Sequence, residues 1–244
     1  MEPSKDKIYA QPHKSLSAFV FDDNVADVFE DMIRRSVPGY AMTLSLMPLI
    51  ARRYAQEGSN CYDLGCSLGA GMVALGQGLD SIPVDLIGID NSTAMLDHCR
   101  SALEKSKLTT PYILNCENLQ DSTLENASIV VLNFTLQFIA KGERAPLISK
   151  IYQGLRPGGV LLLSEKVNFQ DPKVQSTLTD LHHDFKRSQG YTDLEISQKR
   201  AAIEDVLITE TIEQHKTRIA TAGFTECETW LQCFNFVSLL AIKQ

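Results

Sequence analysis

The stretch Tyr62-Asp63-Leu64-Gly65-Cys66-Ser67-Leu68-Gly69-Ala70 carries the most chemistry for its length. An apolar run ends in an acid, passes through small residues and opens a helical pattern, which sets a tight turn against a helix N-terminus where a ligand can approach backbone N–H groups. The dinucleotide pattern G-x-G-x-x-G is not met, because Ser67 stands for its second Gly and Ala70 for its third. A phosphate loop is not met either, since no Gly-Lys-Ser/Thr follows. Asp63 instead suits a ligand with a cationic amino group and would repel a pyrophosphate. The same loop could also be an ordinary strand-to-helix turn.

A second acid strengthens the ligand reading. Ile87-Gly88-Ile89-Asp90-Asn91 closes the next apolar run, where an acid in an open α/β sheet hydrogen-bonds ribose hydroxyls. Asp90 could equally cap the following helix, as could Asn91 or Ser92. Asn118 and Leu119, after the third run, offer an amide and an apolar contact to an adenine edge. Asn133, ending the fourth, points to the same crevice outside the carboxyl ends of the strands. An adenine nucleoside with a charged amino acid tail and no phosphate is S-adenosyl-L-methionine.

These residues need a scaffold, and the chain supplies its pattern. Short apolar runs at 61–64, 84–90, 112–115, 129–133 and 160–164 alternate with helical patterns at 69–79, 94–106 and 143–155. Such alternation predicts an α/β fold, a doubly wound, mostly parallel sheet buried on both faces. Arg156-Pro157-Gly158-Gly159 predicts a turn out of the third helix. Residues 171–219 read as almost wholly helical, an insertion between the fifth and sixth strands long enough to cover a pocket. A helix at 215–222 stops at Gly223, and 226–231 with 235–242 form a closing hairpin, making seven strands. Ahead of the sheet, 24–35 predicts an amphipathic helix, Ser36 to Tyr40 a break, and 43–56 a second helix. The whole of 1–244 is thus expected as one domain, with an N-terminal helical extension at 1–58 and a helical insertion at 171–216.

Composition narrows the function. Hydrophobic residues make up 44% and charged residues 22%, which excludes disordered and fibrous classes. No window approaches the ~18 apolar residues of a membrane span, and Met1 to Lys14 is polar, so a soluble cytoplasmic protein is expected. Lys and Arg number 23 against 30 Asp and Glu, a net charge of -7, which disfavours direct binding of tRNA or any other nucleic acid. Arg34-Arg35, Arg52-Arg53, Lys186-Arg187 and Lys199-Arg200 read as solvated helix faces. Cys61, Cys66, Cys99, Cys116, Cys227 and Cys233 lack C-x-x-C spacing and read as reduced core thiols. His182-His183-Asp184 lacks the i,i+4 pair of a zinc helix, which favours a structural or dimer-interface role and no metal.

Asp63 to Gly69 with Asp90 resembles the class I methyltransferase fold over residues 60–244. A closer resemblance runs through Asp22 to Tyr40, Leu132 to Phe138, Lys150 to Leu155, His182 to Arg187, Leu194 to Arg200 and Gln232 to Phe236. These segments are similar to the carboxy-S-adenosyl-L-methionine synthases of bacterial tRNA wobble-uridine modification. The resemblance implies a Rossmann-like enzyme that converts S-adenosyl-L-methionine and prephenate into carboxy-S-adenosyl-L-methionine and phenylpyruvate, through a sulfonium ylide that captures carbon dioxide. It implies a homodimer whose product, expected to co-purify, serves a separate tRNA carboxymethyltransferase.

Residue by residue, the resemblance implies Tyr40 at the ligand's amino acid end or sulfonium, backbone contact from Gly65, Cys66 and Ser67, ribose at Asp90 and Asn91, adenine at Asn118 and Leu119, and the polar tail at Asn133. Arg200 is implied as the catalytic partner of the new carboxylate. From the sequence alone, Arg200 with Glu204, and Glu195 with Lys199, are i,i+4 pairs suited to surface salt bridges. The position of Asn118 is commonly Asp in relatives, and an amide there implies altered pH sensitivity. No general base stands out, and hydroxide departing from prephenate is the expected base. A conventional S-adenosylmethionine-dependent methyltransferase and a non-catalytic nucleoside-binding partner of a tRNA-modifying enzyme are the competing readings.

Overall fold

The computed structural model describes residues 5–12 and 19–244. Of the polar stretch Met1 to Lys14, residues 1–4 and 13–14 therefore lie outside the described residues.

Seven strands form one sheet: β1 Ser59–Leu64, β2 Val84–Asp90, β3 Tyr112–Cys116, β4 Ala127–Asn133, β5 Leu155–Lys166, β6 Glu226–Cys233 and β7 Phe236–Ile242, in the order β3-β2-β1-β4-β5-β7-β6. The first five pair in parallel, and β7 runs antiparallel between β5 and β6. All seven predicted strands are present. β4 and most of β5 are buried along their length, because helices cover both faces. Arg156 to Gly159 does not form a free turn. It is absorbed at the start of β5, where Gly158 donates to the Lys243 carbonyl and Lys243 donates back to Gly159.

Helices α4 Ala70–Leu79, α5 Thr93–Ser106 and α6 Lys141–Gly154 follow β1, β2 and β4 as the periodicity predicts. Before the sheet, the predicted amphipathic helix is split into α1 Asp23–Ala26 and α2 Phe29–Ser36, and α3 Tyr40–Tyr54 starts three residues earlier than expected. The Asp22 side chain caps α1 by accepting from Val25, which fixes where the extension turns helical.

The insertion forms α7 Pro172–Ser188 and α8 Asp193–Ile203, and α9 Ile212–Ala222 follows. Asp171 caps α7 with Pro172 in its first turn, and Thr192 with Glu195, and Thr211 with Gln214, build capping boxes on α8 and α9. Arg144 of α6 is completely buried, pairs with Glu210 and donates to the Ile208 carbonyl at 2.9 Å, so the end of the insertion is bound to the sheet's helical layer.

The N-terminal strap closes the other side. Asp31 accepts the Asp6 amide at 2.7 Å and the Arg35 guanidinium, Tyr191 donates to Asp6 at 2.6 Å, and Lys199 approaches Asp6 at 3.8 Å. The strap, α2, the loop between α7 and α8, and α8 thereby share one polar network above the carboxyl ends of the strands.

Candidate functional site

A cavity of about 1050 Å³ opens between that cover and the carboxyl ends of β1, β2, β4 and β5. Tyr40, Asp63, Gly65, Cys66, Ser67, Asp90, Asn91, Leu119 and Asn133 all line it, so nine residues singled out from the sequence meet in one place.

The loop after β1 achieves its path by repeated left-handed backbone. Gly65, Ser67 and Gly69 have φ of 77°, 49° and 81°. A Cβ at Gly65 would fall 2.5 Å from Thr135 Oγ1, so both conformation and space demand glycine there. The loop's N–H groups, however, are not free donors. Gly65 and Cys66 both donate to the Ile89 carbonyl, at 2.7 and 3.1 Å, and Ser67 donates to Asp90 Oδ2 at 2.9 Å. With those three amides engaged, the loop presents its shape and its carbonyl acceptors to the cavity, which suits an ammonium better than a phosphate.

Asp63 is 2% exposed, and Gly71 makes room for it, since a Cβ there would sit 2.5 Å from Asp63 Oδ2. Burial, reinforced by Asp90, pushes the Asp63 carboxyl up to about 7. Burial also raises the Tyr40 phenol, with Asp63 adding to the effect, so Tyr40 is a neutral hydroxyl beside an acid. Asn133 Oδ1 is buried without a hydrogen-bond partner. A buried carboxyl and an orphaned acceptor in one cavity are costly unless donors arrive from a ligand, and an α-ammonium supplies three. These residues fit S-adenosyl-L-methionine at its amino acid end.

Asp90 accepts from Ser67 through one oxygen and from the Ser92 amide, at 2.9 Å, through the other. Ser92 is the N-cap of α5, so Asp90 supports that turn while each carboxylate oxygen retains a second acceptor site for a ribose hydroxyl. The N-cap of α5 is thus Ser92, one of the alternatives to Asp90, and Asp90 buttresses it from the preceding turn.

Two expected contacts are absent from the cavity wall. Asn118 is exposed, its amide oxygen accepting from Asn91 at 3.1 Å and its nitrogen donating to Asp121 at 3.2 Å. Leu119 and Gln120 face the cavity in its place. Arg200 is also exposed and does not line the cavity, whereas its neighbour Lys199 does. Neither predicted i,i+4 salt bridge forms: Glu195 is used by the capping box, Lys199 by Ser36 and Asp6, and Arg200 joins no ion pair among the described residues.

Of the four basic pairs, expected to be solvated, only Arg52-Arg53 is exposed at both residues. Arg35 is buried against Asp31 while Arg34 is exposed. Arg187 is exposed and pairs with Asp184 and Asp193, while Lys186 turns into the cavity. Lys166, at the end of β5, also lines it and carried no sequence signal beyond its place after an apolar run. Phe21, Phe134 and Phe138 complete the apolar wall, with Phe21 edge-on to Phe138 at 5.2 Å. Phe134 and Phe138 lie in the Leu132 to Phe138 segment already singled out.

His182 donates through Nε2–H to the Ser36 carbonyl at 2.8 Å and packs edge-on against Phe236 at 4.9 Å. Burial drives its pKa down to about 2, so it is a neutral imidazole, and the bond to a carbonyl requires the Nε2–H tautomer. All six cysteines are free, and Cys116 departs from the core-thiol reading by being exposed.

Residues 62–159 match the family model described as a methyltransferase domain. Among solved structures, an S-adenosyl-L-methionine-dependent methyltransferase of Methanococcus maripaludis, described as putative, superposes with TM-score 0.59 at 16% identity, covering 95% of this chain and 98% of that one. An O-methyltransferase family protein from Burkholderia thailandensis gives TM-score 0.65 at 16% identity over 92% of this chain and 61% of that one. Those likenesses establish the fold. Full-length relatives go further. The carboxy-S-adenosyl-L-methionine synthases of Hahella chejuensis and Trichlorobacter lovleyi are 52% and 53% identical, each aligned over 100% of both chains. This chain belongs to the carboxy-S-adenosyl-L-methionine synthase family, built on a class I methyltransferase fold.

Proposed function

We propose that this enzyme converts S-adenosyl-L-methionine and prephenate into carboxy-S-adenosyl-L-methionine, phenylpyruvate and water. Prephenate aromatises by losing carbon dioxide and its ring hydroxyl as hydroxide. The hydroxide takes a proton from the sulfonium methyl, leaving an ylide whose carbon bonds to the carbon dioxide. The carboxylated product then serves a separate tRNA carboxymethyltransferase acting on the wobble uridine.

The observation that carries this reading is one cavity with two charge characters. Asp63, Asn133 and Tyr40 make an acceptor-rich end for the amino acid tail, and Asp90 waits for ribose. Lys166, Lys186 and Lys199 line the same cavity with positive charge. A methyltransferase releasing neutral or cationic product has no use for three ammonium groups near a sulfonium, which they repel. A reaction that brings in an anionic donor and leaves a carboxylate does.

Arg200 takes the product carboxylate in this proposal. Its charge is felt by Lys166, Lys186 and His183, all of which it depresses. It is exposed and uncommitted to any ion pair among the described residues, so it is available to an anion at that end. A second copy of this chain is proposed as its partner in a homodimer.

Mass spectrometry of a reaction with prephenate carrying carbon-13 in its ring carboxyl tests the assignment. The nucleoside product should gain one labelled carbon dioxide. Transfer of an intact methyl with release of S-adenosyl-L-homocysteine would overturn it.

A further inference from the structure

Lys166 is the last residue of β5, two positions beyond Ser164, which pairs in register with Asn133. Parallel strands carry both residues to the same edge of the sheet, so Lys166 enters the cavity beyond Asn133. Lys186 enters from above. It lies one helical turn after His182 on α7, and both line the cavity, so this face of α7 is the cover's inner surface.

Both lysines are half-buried, yet among the described residues neither has a carboxylate within ion-pairing distance. Lys199, beside them in the wall, differs: Ser36 Oγ lies 3.1 Å and Asp6 3.8 Å from its ammonium. Desolvated cations without counter-ions are expensive, and these also repel one another and Arg200. Burial, then Lys199, Lys166 and Arg200, bring Lys186 down to about 7. Burial and Arg200 likewise lower Lys166. A chain of net charge -7 had carboxylates to spare for them, but none is placed here. The missing anion is most simply a ligand's.

We propose that Lys166 and Lys186 form the subsite that holds the carboxylates of the second substrate. Its identity as prephenate rests on the reaction proposed above; the subsite itself rests on the two partnerless ammonium groups. Lys166 at the strand end and Lys186 on the cover approach from different elements, which suits a dianion bridging floor and roof. Held there, the donor releases carbon dioxide in the same cavity as the sulfonium, so that capture competes with escape. Arg200 remains for the product, and the two lysines are positioning residues for the donor.

Calorimetric titration of prephenate into protein loaded with S-adenosyl-L-homocysteine, which cannot react, reads the subsite without turnover. Lys166→Met and Lys186→Met should each weaken prephenate at least tenfold while holding S-adenosyl-L-homocysteine within twofold. Lys166→Arg and Lys186→Arg should recover most of the loss. Lys166→Gln and Lys186→Gln repeat the measurement with polarity kept and charge removed, should methionine disturb the fold. Wild-type affinity in the methionine and glutamine variants, or no prephenate binding by the wild type, would overturn the subsite. Prephenate binding that depends on both lysines, with no carboxylated product when S-adenosyl-L-methionine is supplied, would overturn the proposed reaction and leave the subsite standing.

Discussion

The Ser67 amide donates to Asp90 Oδ2 at 2.9 Å, joining the loop after the first strand to the acid that ends the second. Ser67 holds a left-handed conformation, unfavourable for a residue with a side chain by roughly 1–2 kcal/mol, which the bond to Asp90 offsets alongside those from Gly65 and Cys66 to Ile89. The acid proposed to hold ribose and the loop proposed to shape the amino acid end are therefore mechanically joined.

Replacing Asp90 should reach beyond ribose. Asp90→Ala removes acceptors for Ser67 and Ser92 and leaves two amides unsatisfied, at about 1–3 kcal/mol each where buried. We expect a fall in thermal midpoint together with at least a hundredfold loss of S-adenosyl-L-methionine affinity. An affinity loss with no change in the midpoint would mean that the loop stands without this bond.

Asp63 makes ligand binding depend on pH. Its carboxyl titrates near 7 when folded and near 3.8 when unfolded, so between those values the folded chain binds more protons. Stability of the ligand-free protein is therefore lost as pH rises through 3.8 to 7 and levels off above that window. A cationic tail prefers the ionised acid, so affinity moves the other way. S-adenosyl-L-methionine should bind about tenfold more weakly at pH 6 than at pH 8, with proton release on binding near pH 6. Tyr40 and Cys66, also facing Asp63, are both pushed upward and stay neutral in this range. Asp63→Asn should stabilise the empty protein above pH 7 and flatten the affinity profile at a lower level.

Much of this arrangement was legible in the sequence because strands and their terminal acids obey local rules. Asp63 and Asp90 sit at the ends of apolar runs, and the parallel order brings such ends together. What stayed hidden is what neighbours decide. Lys186-Arg187 is one basic pair in sequence, yet α7's packing sends Lys186 inward while Asp184 and Asp193 hold Arg187 outside. Lys199-Arg200 divides the same way, because the Asp6 strap claims Lys199. Asn118 is expected at an adenine edge, yet its bonds to Asn91 and Asp121 set it on the exposed side, outside the cavity wall. No periodicity encodes a hydrogen bond to a residue that arrives from another loop.

Arg200→Leu tests the product's counter-ion. Arg200 is exposed and outside every ion pair among the described residues, so the thermal midpoint should hold. A charge-assisted bond to a carboxylate is worth roughly 1.5–3 kcal/mol. The ratio of affinities for carboxy-S-adenosyl-L-methionine over S-adenosyl-L-methionine should fall by about tenfold or more. An unchanged ratio would remove Arg200 from the mechanism.

Lys186 gives the second substrate a pH dependence of opposite sign to that of Asp63. Its ammonium titrates near 7 when folded and near 10.5 when unfolded, so the folded chain binds fewer protons between those values, and stability from this group rises with pH across that window. Anion binding requires the charged form, so prephenate affinity falls over the same range. The groups facing Lys186 are Lys166 from β5, Lys199 and Arg200 from α8, and His182 and His183 from its own helix. His182 is neutral throughout, and Lys199, near 8, is held by Ser36 and Asp6. Calorimetry on the S-adenosyl-L-homocysteine complex should therefore show prephenate affinity dropping more than tenfold between pH 7 and 8.5. Lys186→Arg should keep the affinity and lose most of that slope, because a guanidinium does not titrate there. A slope equal in wild type and Lys186→Arg would assign the titration to Lys166 or Lys199, and Lys186 would no longer be the group that sets it.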